Sequence, residues 1–159
     1  MKIISHRGNV RNKLVADENK PSYIDGAIKS GYDVEVDIRY VDDNFYLGHD
    51  TPDYKVNEKW ILDRSSHLLF HCKDIRSTEE IMSRSWNLHY FSHLTDPYVL
   101  TSHGYIWVDN ISLDLNDKCI IPLLSMENIR SYNTKIIYAV CTDYVKFAEY
   151  ELGSKGLYK

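Results

Sequence analysis

From Asp33 to Tyr40 apolar and polar residues alternate strictly, with Val34, Val36, Ile38 and Tyr40 on one side and Glu35, Asp37 and Arg39 on the other. A period of two predicts a strand with one apolar face. Asp42-Asp43-Asn44 then supplies a turn, Phe45 to Leu47 a short return strand, and Gly48-His49-Asp50 its end. Upstream, Lys2 to Ser5 reads as a first strand, followed by His6-Arg7-Gly8 and a polar loop to Lys20. Pro21 opens a helix through Tyr23, Ile24, Ala27 and Ile28 that stops at Gly31. Strand, helix and strand in succession form a βαβ unit, the building block of parallel sheets.

The same reading continues downstream. Strands are expected at Leu68–Lys73, Leu88–Phe91, Tyr105–Val108, Cys119–Leu123 and Lys135–Val140, and helices at Ser77–Trp86, Met126–Tyr132 and Thr142–Leu152. Between the later strands there is little room for full helices. Repeated βα units predict an α/β fold of the (β/α)8 TIM type, which usually needs at least about 200 residues. This chain has 159. A minimal or incomplete barrel is therefore expected, as one domain over residues 1–152 with a frayed tail at 153–159. An open parallel sheet is the alternative.

Composition narrows the function classes. A net charge of −4 argues against nucleic acid as a partner. No apolar run approaches the ~20 residues of a membrane span. The opening MKIISHRG lacks the apolar core of a secretory signal, so a reducing cytoplasm is expected. Cys72, Cys119 and Cys141 stand in apolar surroundings and read as free buried thiols.

The candidate chemistry begins with Glu35 and Asp37, which share a strand face with Cα atoms ~6.5 Å apart. Carboxylates held that close repel each other unless a cation sits between them, and oxygen ligands suit Mg²⁺ or Ca²⁺. Titratable residues follow apolar runs four times in succession: His6-Arg7, then Glu35 and Asp37 with His49, then His71 and Lys73, then His93 and Asp96. In (β/α)8 barrels the site lies at those strand ends. A bound cation, a guanidinium fork and two histidines titrating near neutrality are a set suited to attack on a phosphodiester. His67, His89 and His103 read as structural or surface residues.

The blocks ISHRGN, DENKPSYIDGAIKSGYDVEVDIRY and YLGHD, in that order, resemble the glycerophosphodiester phosphodiesterase family, within the wider group similar to phosphatidylinositol-specific phospholipase C. The resemblance implies a TIM-type barrel and metal-dependent hydrolysis of glycerophosphodiester-like small molecules. It implies His6 and His49 as the acid–base pair and Glu35 and Asp37 as metal ligands. Arg7 and Lys73 would bind phosphate, and Glu18 would bind metal or orient Arg7. The chain departs from the pattern at His71, where the family carries a glutamate. As a ligand, His71 would add a neutral nitrogen and move preference from Mg²⁺ or Ca²⁺ toward Mn²⁺ or Zn²⁺. Metal affinity would then weaken as pH falls through about 6.5. The alternative is a phosphate- and metal-binding module on the same fold that no longer turns over.

Overall fold

The computed structural model describes residues 1–133 and 137–158. Its elements run β1 (Lys2–His6), α1 (Pro21–Lys29), β2 (Asp33–Val41), β3 (Asn44–Leu47), β4 (Tyr54–Val56), α2 (Glu58–Asp63) and β5 (Leu68–Cys72). They continue with α3 (Ile75–Ser83), β6 (His89–Phe91), β7 (Tyr98–Leu100), β8 (Ile106–Val108), β9 (Cys119–Pro122), α4 (Met126–Ser131), β10 (Ala139–Thr142) and α5 (Val145–Ser154). The start of the strand expected at Lys135 lies outside the described residues.

β1 is central. It pairs in parallel with β2 on one side and β10 on the other. From β2 the parallel order runs to β5 and β6, and from β10 to β9 and β8. β7 runs antiparallel to β8, and β3 with β4 extends the far half of β2 as an antiparallel meander. The result is α/β, with one curled mixed sheet.

The alternation read in β2 decides which side meets the helices. Val34, Val36 and Ile38 are fully buried and pack with Phe70 and Cys72 of β5 against Ile24 and Ala27 of α1 and Ile81 of α3. Each such aliphatic side chain contributes roughly 1.5–3 kcal/mol on burial. The concave side of the sheet holds a second layer: Ile4, Leu69, Phe91, Trp107, Ile120, Ala139 and Cys141, drawn from six strands. β6 and β8 do not pair with each other among the described residues. Phe91 stacks on Trp107 across that seam with ring centroids 4.6 Å apart, and the Ser102 N–H donates to the Tyr90 carbonyl at 2.9 Å.

Local chemistry explains the boundaries. Asp74 caps α3 by accepting the Ser77 N–H at 2.6 Å, so the helix starts two residues before the expected Ser77. Asn57 caps α2 through the Trp60 N–H at 2.8 Å; this helix, β4 and β7 go beyond the expected elements. No helix lies between β6 and β8 or between β8 and β9, as the short gaps foretold. In consequence Ile75 and Met82 on α3, and Tyr98 and Leu100 on β7, stay exposed. No helix among the described residues is long and apolar enough to cross a membrane.

One expectation is corrected at the C-terminus. The tail expected to fray from Gly153 instead closes α5. Gly156 takes φ +67°, its N–H bonds the Gly153 carbonyl, and the Leu157 N–H reaches back to the Leu152 carbonyl at 2.9 Å. This 6→1 and 5→2 pattern needs a left-handed residue, which glycine supplies, and it buries Leu157 in the core under α5. Cys72, Cys119 and Cys141 are buried free thiols. Burial pushes the Cys72 thiol up to about 12.

Candidate metal centre and its surrounding histidines

The register of the sheet assembles the centre. His6 of β1 is the cross-strand partner of Glu35, and Asp37 is that of His71 on β5. Glu35 and Asp37 are almost completely buried, at 1% and 0% exposed. His71 Nδ1 lies 3.6 Å from Glu35 Oε1 and 3.4 Å from Asp37 Oδ1. One ligand atom from each of the three residues falls within 4.8 Å of the other two. His71 Nε2–H donates to the His93 carbonyl at 3.2 Å, and its ring stacks on Phe91. That outer contact leaves Nδ1 facing the carboxylates, the orientation a ligating histidine needs.

Two carboxylate oxygens in this cluster, Glu35 Oε2 and Asp37 Oδ1, are buried without a hydrogen-bond donor. Leaving such charged atoms unsatisfied costs several kcal/mol each by the usual scale (~1–3 for neutral groups, more for charged ones). With the His71 nitrogen they form a mixed oxygen–nitrogen donor set, which fits a divalent cation.

Cations of the chain satisfy the rest of Asp37. Arg7 Nε approaches Asp37 Oδ2 at 2.8 Å, without hydrogen-bond alignment, and Lys73 Nζ stands 3.8 Å from Oδ1. Asn19 clamps the same residue twice, donating to Oδ2 at 2.8 Å and accepting the Asp37 N–H at 2.9 Å. Burial by itself would raise the Asp37 carboxyl, but His71, Arg7 and Asn19 hold it well below the usual range. For His71 burial works toward a lower value, and the Asp37 and Glu35 carboxylates overcome it, raising the ring to about 9. The pH window expected near 6.5 is therefore corrected upward.

That shift carries a stability prediction with a definite sign. A histidine raised in the folded chain adds stability in full below its unfolded value of about 6.5, and loses it as pH rises through about 9. In chelator, the melting temperature should fall between pH 6.5 and 9.5, and His71→Gln should flatten that decline.

Arg7 adopts φ +55° at the end of β1, which turns its side chain inward. Its Nη1 donates to Glu18 Oε2 at 3.0 Å, while Glu18 Oε1 accepts from Asn9 at 3.0 Å. Of the two roles expected for Glu18, the geometry matches orientation of Arg7; Glu18 is not a member of the three-ligand cluster.

His6 sits between two carboxylates. Its Nδ1 is 2.7 Å from Asp143 Oδ1, and its Nε2 is 3.7 Å from Glu35 Oε2. Asp143 follows β10 and is fully buried. Burial would raise its carboxyl, but His6 and the Asn9 amide, which donates to Oδ1 at 2.8 Å, bring it below its ordinary value. Asp143 is the residue that reading by sequence passes over. Its signal was the same as the others, an acid directly after the apolar run Ala139 to Cys141.

His49 is not brought into the cluster. Its side chain is 41% exposed and its Nδ1 turns to the adjacent Asp50 at 2.7 Å. Arg39 pins this loop by donating to the carbonyls of Gly48 and His49. Gly48 has φ +147°, and a Cβ there would meet the Thr51 carbonyl oxygen at 2.0 Å, so only glycine fits the turn. His49 lines a cavity of about 320 Å³ together with Arg7, Lys13 and Glu18. His93 lies beside His71, whereas Asp96 is exposed on the following loop. His67, His89 and His103 gather at the opposite end of the strands, with His89 stacked on His103 at 4.6 Å.

Comparison with protein-family models, curated proteins and solved structures found no match to this chain.

Proposed function

We propose that the chain is a metal-dependent phosphodiester hydrolase acting on glycerophosphodiester-like small molecules. One observation carries the reading: two unpartnered buried carboxylate oxygens face one imidazole nitrogen, 3.7 Å from a histidine that a second carboxylate orients. The curled sheet is read as an incomplete (β/α)8 barrel of the TIM type. Its parallel strands, outer helices, interior side-chain layer and site at the strand ends support that assignment.

Glu35, Asp37 and His71 Nδ1 would hold the cation, of which Mg²⁺, Ca²⁺ and Mn²⁺ are the candidates. When bound, such an ion polarises phosphoryl oxygens and lowers the pKa of water. Arg7 and Lys73, both already beside Asp37, supply positive charge for the phosphate. Asp143 accepts the Nδ1–H of His6, so Nε2 is the atom that takes a proton from the attacking hydroxyl. Asn9 and Asn19 fix the carboxylates that set this geometry.

The test is hydrolysis of glycerophosphocholine, glycerophosphoethanolamine and glycerophosphoglycerol by chelator-treated protein, with each metal titrated back. Turnover restored by one of the three metals is expected. Tight metal binding with no turnover on any diester would favour the non-catalytic reading, to which the outward-turned His49 already lends support.

His71 allows a sharper check. Exchanging its neutral nitrogen for the oxygen ligand of the resembled family, His71→Glu, should strengthen Mg²⁺ or Ca²⁺ relative to Mn²⁺ by about tenfold or more, the scale on which metal sites respond to altered partners. Calorimetric titration of both proteins with each metal at pH 7 and 9 measures this. Coincident isotherms would remove His71 from the ligand set.

A further inference from the structure

A second carboxylate–histidine pair flanks the cluster on the side away from His6. His93 follows β6, its side chain is 10% exposed, and its Nε2 is ion-paired with Asp109 Oδ2. Asp109 follows β8 and is itself held in place. Trp107 Nε1–H donates to its Oδ1 at 3.0 Å, and its own N–H donates to the Pro97 carbonyl at 3.0 Å. The His93 ring lies 6.1 Å from that of His71, centroid to centroid, and the His93 carbonyl accepts the His71 Nε2–H.

With Nε2 committed to Asp109, the remaining ring nitrogen is Nδ1. It is buried and has no hydrogen-bond partner. Buried polar atoms are seldom left so, and a group arriving from outside the chain is the usual resolution. The sheet order β1, β2, β5, β6 sets His6 and His93 at the two ends of the Glu35–Asp37–His71 cluster. In-line displacement at phosphorus needs its base and its acid on opposite sides. His49, exposed and turned to Asp50, has no such placement.

We infer that His93, oriented by Asp109, is the catalytic residue that protonates the leaving oxygen, in place of His49. This rests on the hydrolase reading above. In the step, the attacking water gives its proton to His6 Nε2 as its oxygen bonds to phosphorus. The bond from phosphorus to the alcohol oxygen breaks, the electron pair stays on that oxygen, and the proton of His93 Nδ1–H joins it. A phosphomonoester and a free alcohol result. His6 returns its proton to solvent and His93 recovers one from it.

The experiment compares two diesters on the metal-loaded protein: glycerophosphocholine, whose leaving alcohol is a strong base, and glycero-p-nitrophenyl phosphate, whose leaving phenolate is weak. His93→Gln should lose roughly 10²–10⁴-fold in kcat on the first and less than about tenfold on the second. Asp109→Asn should show the same split at smaller size, and it keeps the test open if His93→Gln does not fold. His49→Gln should show no split. As a readout apart from turnover, the His93 ring resonances should shift on titration with inorganic phosphate. Equal losses on both substrates, full activity in His93→Gln, or a split in His49→Gln instead would overturn the assignment while leaving the hydrolase reading intact. A metal-loaded wild type inert on both diesters would overturn the two together.

Discussion

Glu35→Gln is expected to lower affinity for a divalent cation at least about 100-fold, beyond what loss of an outer partner of a metal site costs, and to abolish hydrolysis with it. The fold should survive. Glu35 is buried, its Oε2 has no donor, and its only ion-pair neighbours are two histidines at 3.6 and 3.7 Å. An amide removes a repulsive charge there, so the metal-free variant should melt at or above wild type. Calorimetric metal titration with thermal melting in chelator reads both effects. Wild-type affinity in Glu35→Gln would remove it from the ligand set.

Asp37 behaves differently, although the alternation in β2 makes the two carboxylates look equivalent. Asp37 sits among Arg7, Lys73 and His71 and accepts from Asn19. Asp37→Asn strands the buried guanidinium, a change that costs about 3–5 kcal/mol when one partner of a buried pair is lost. Relief of carboxylate repulsion therefore belongs to Glu35 alone, and Glu35→Gln is the variant that separates metal loss from unfolding.

The second large effect is expected at His6. His6→Gln should cost roughly 10²–10⁴-fold in turnover, the usual contribution of a positioned proton-transfer group. Asp143 acts through His6, and the kind of substitution matters. Both His6 Nδ1 and the Asn9 amide meet the same oxygen, Oδ1. In Asp143→Asn a carbonyl oxygen at that position keeps both hydrogen bonds and loses only the charge. Asp143→Ala loses the ring's orientation as well. Asp143→Asn should therefore lose less than Asp143→Ala, and should move the ascending limb of the pH–rate profile to lower pH, because the protonated base is no longer stabilised. Equal losses in the two variants with an unmoved profile would mark Asp143 as structural.

Local pattern carried much of this site, and long-range pairing supplied the rest. The alternation in β2 and β5 was enough to turn Glu35, Asp37 and His71 to one side of the sheet, because side-chain period and strand register are both local. The pairing of His6 with Asp143 spans 137 positions and exists only because β10 closes against β1. No spacing rule reaches that far. His93 with Asp109 depends likewise on a seam between β6 and β8 that no strand pairing bridges. His49 shows the opposite limit. Its hairpin was legible, but the direction of its ring is decided by Gly48, by the Arg39 clamp and by the neighbouring Asp50. The missed elements have equally plain causes. α2 is six residues long, too short to show helical periodicity, and β7 exposes both Tyr98 and Leu100 and so presents no apolar face outward.

The central claim is that Glu35, Asp37 and His71 together hold one divalent cation. Titration of chelator-treated protein with Mn²⁺, followed by the electron-spin resonance of the free ion, tests it without any assumption about substrate. The account predicts one bound ion per chain in wild type, lost in Glu35→Gln and weakened in His71→Gln. Absence of a stoichiometric site in wild type, or the same site undiminished in Glu35→Gln, would contradict it.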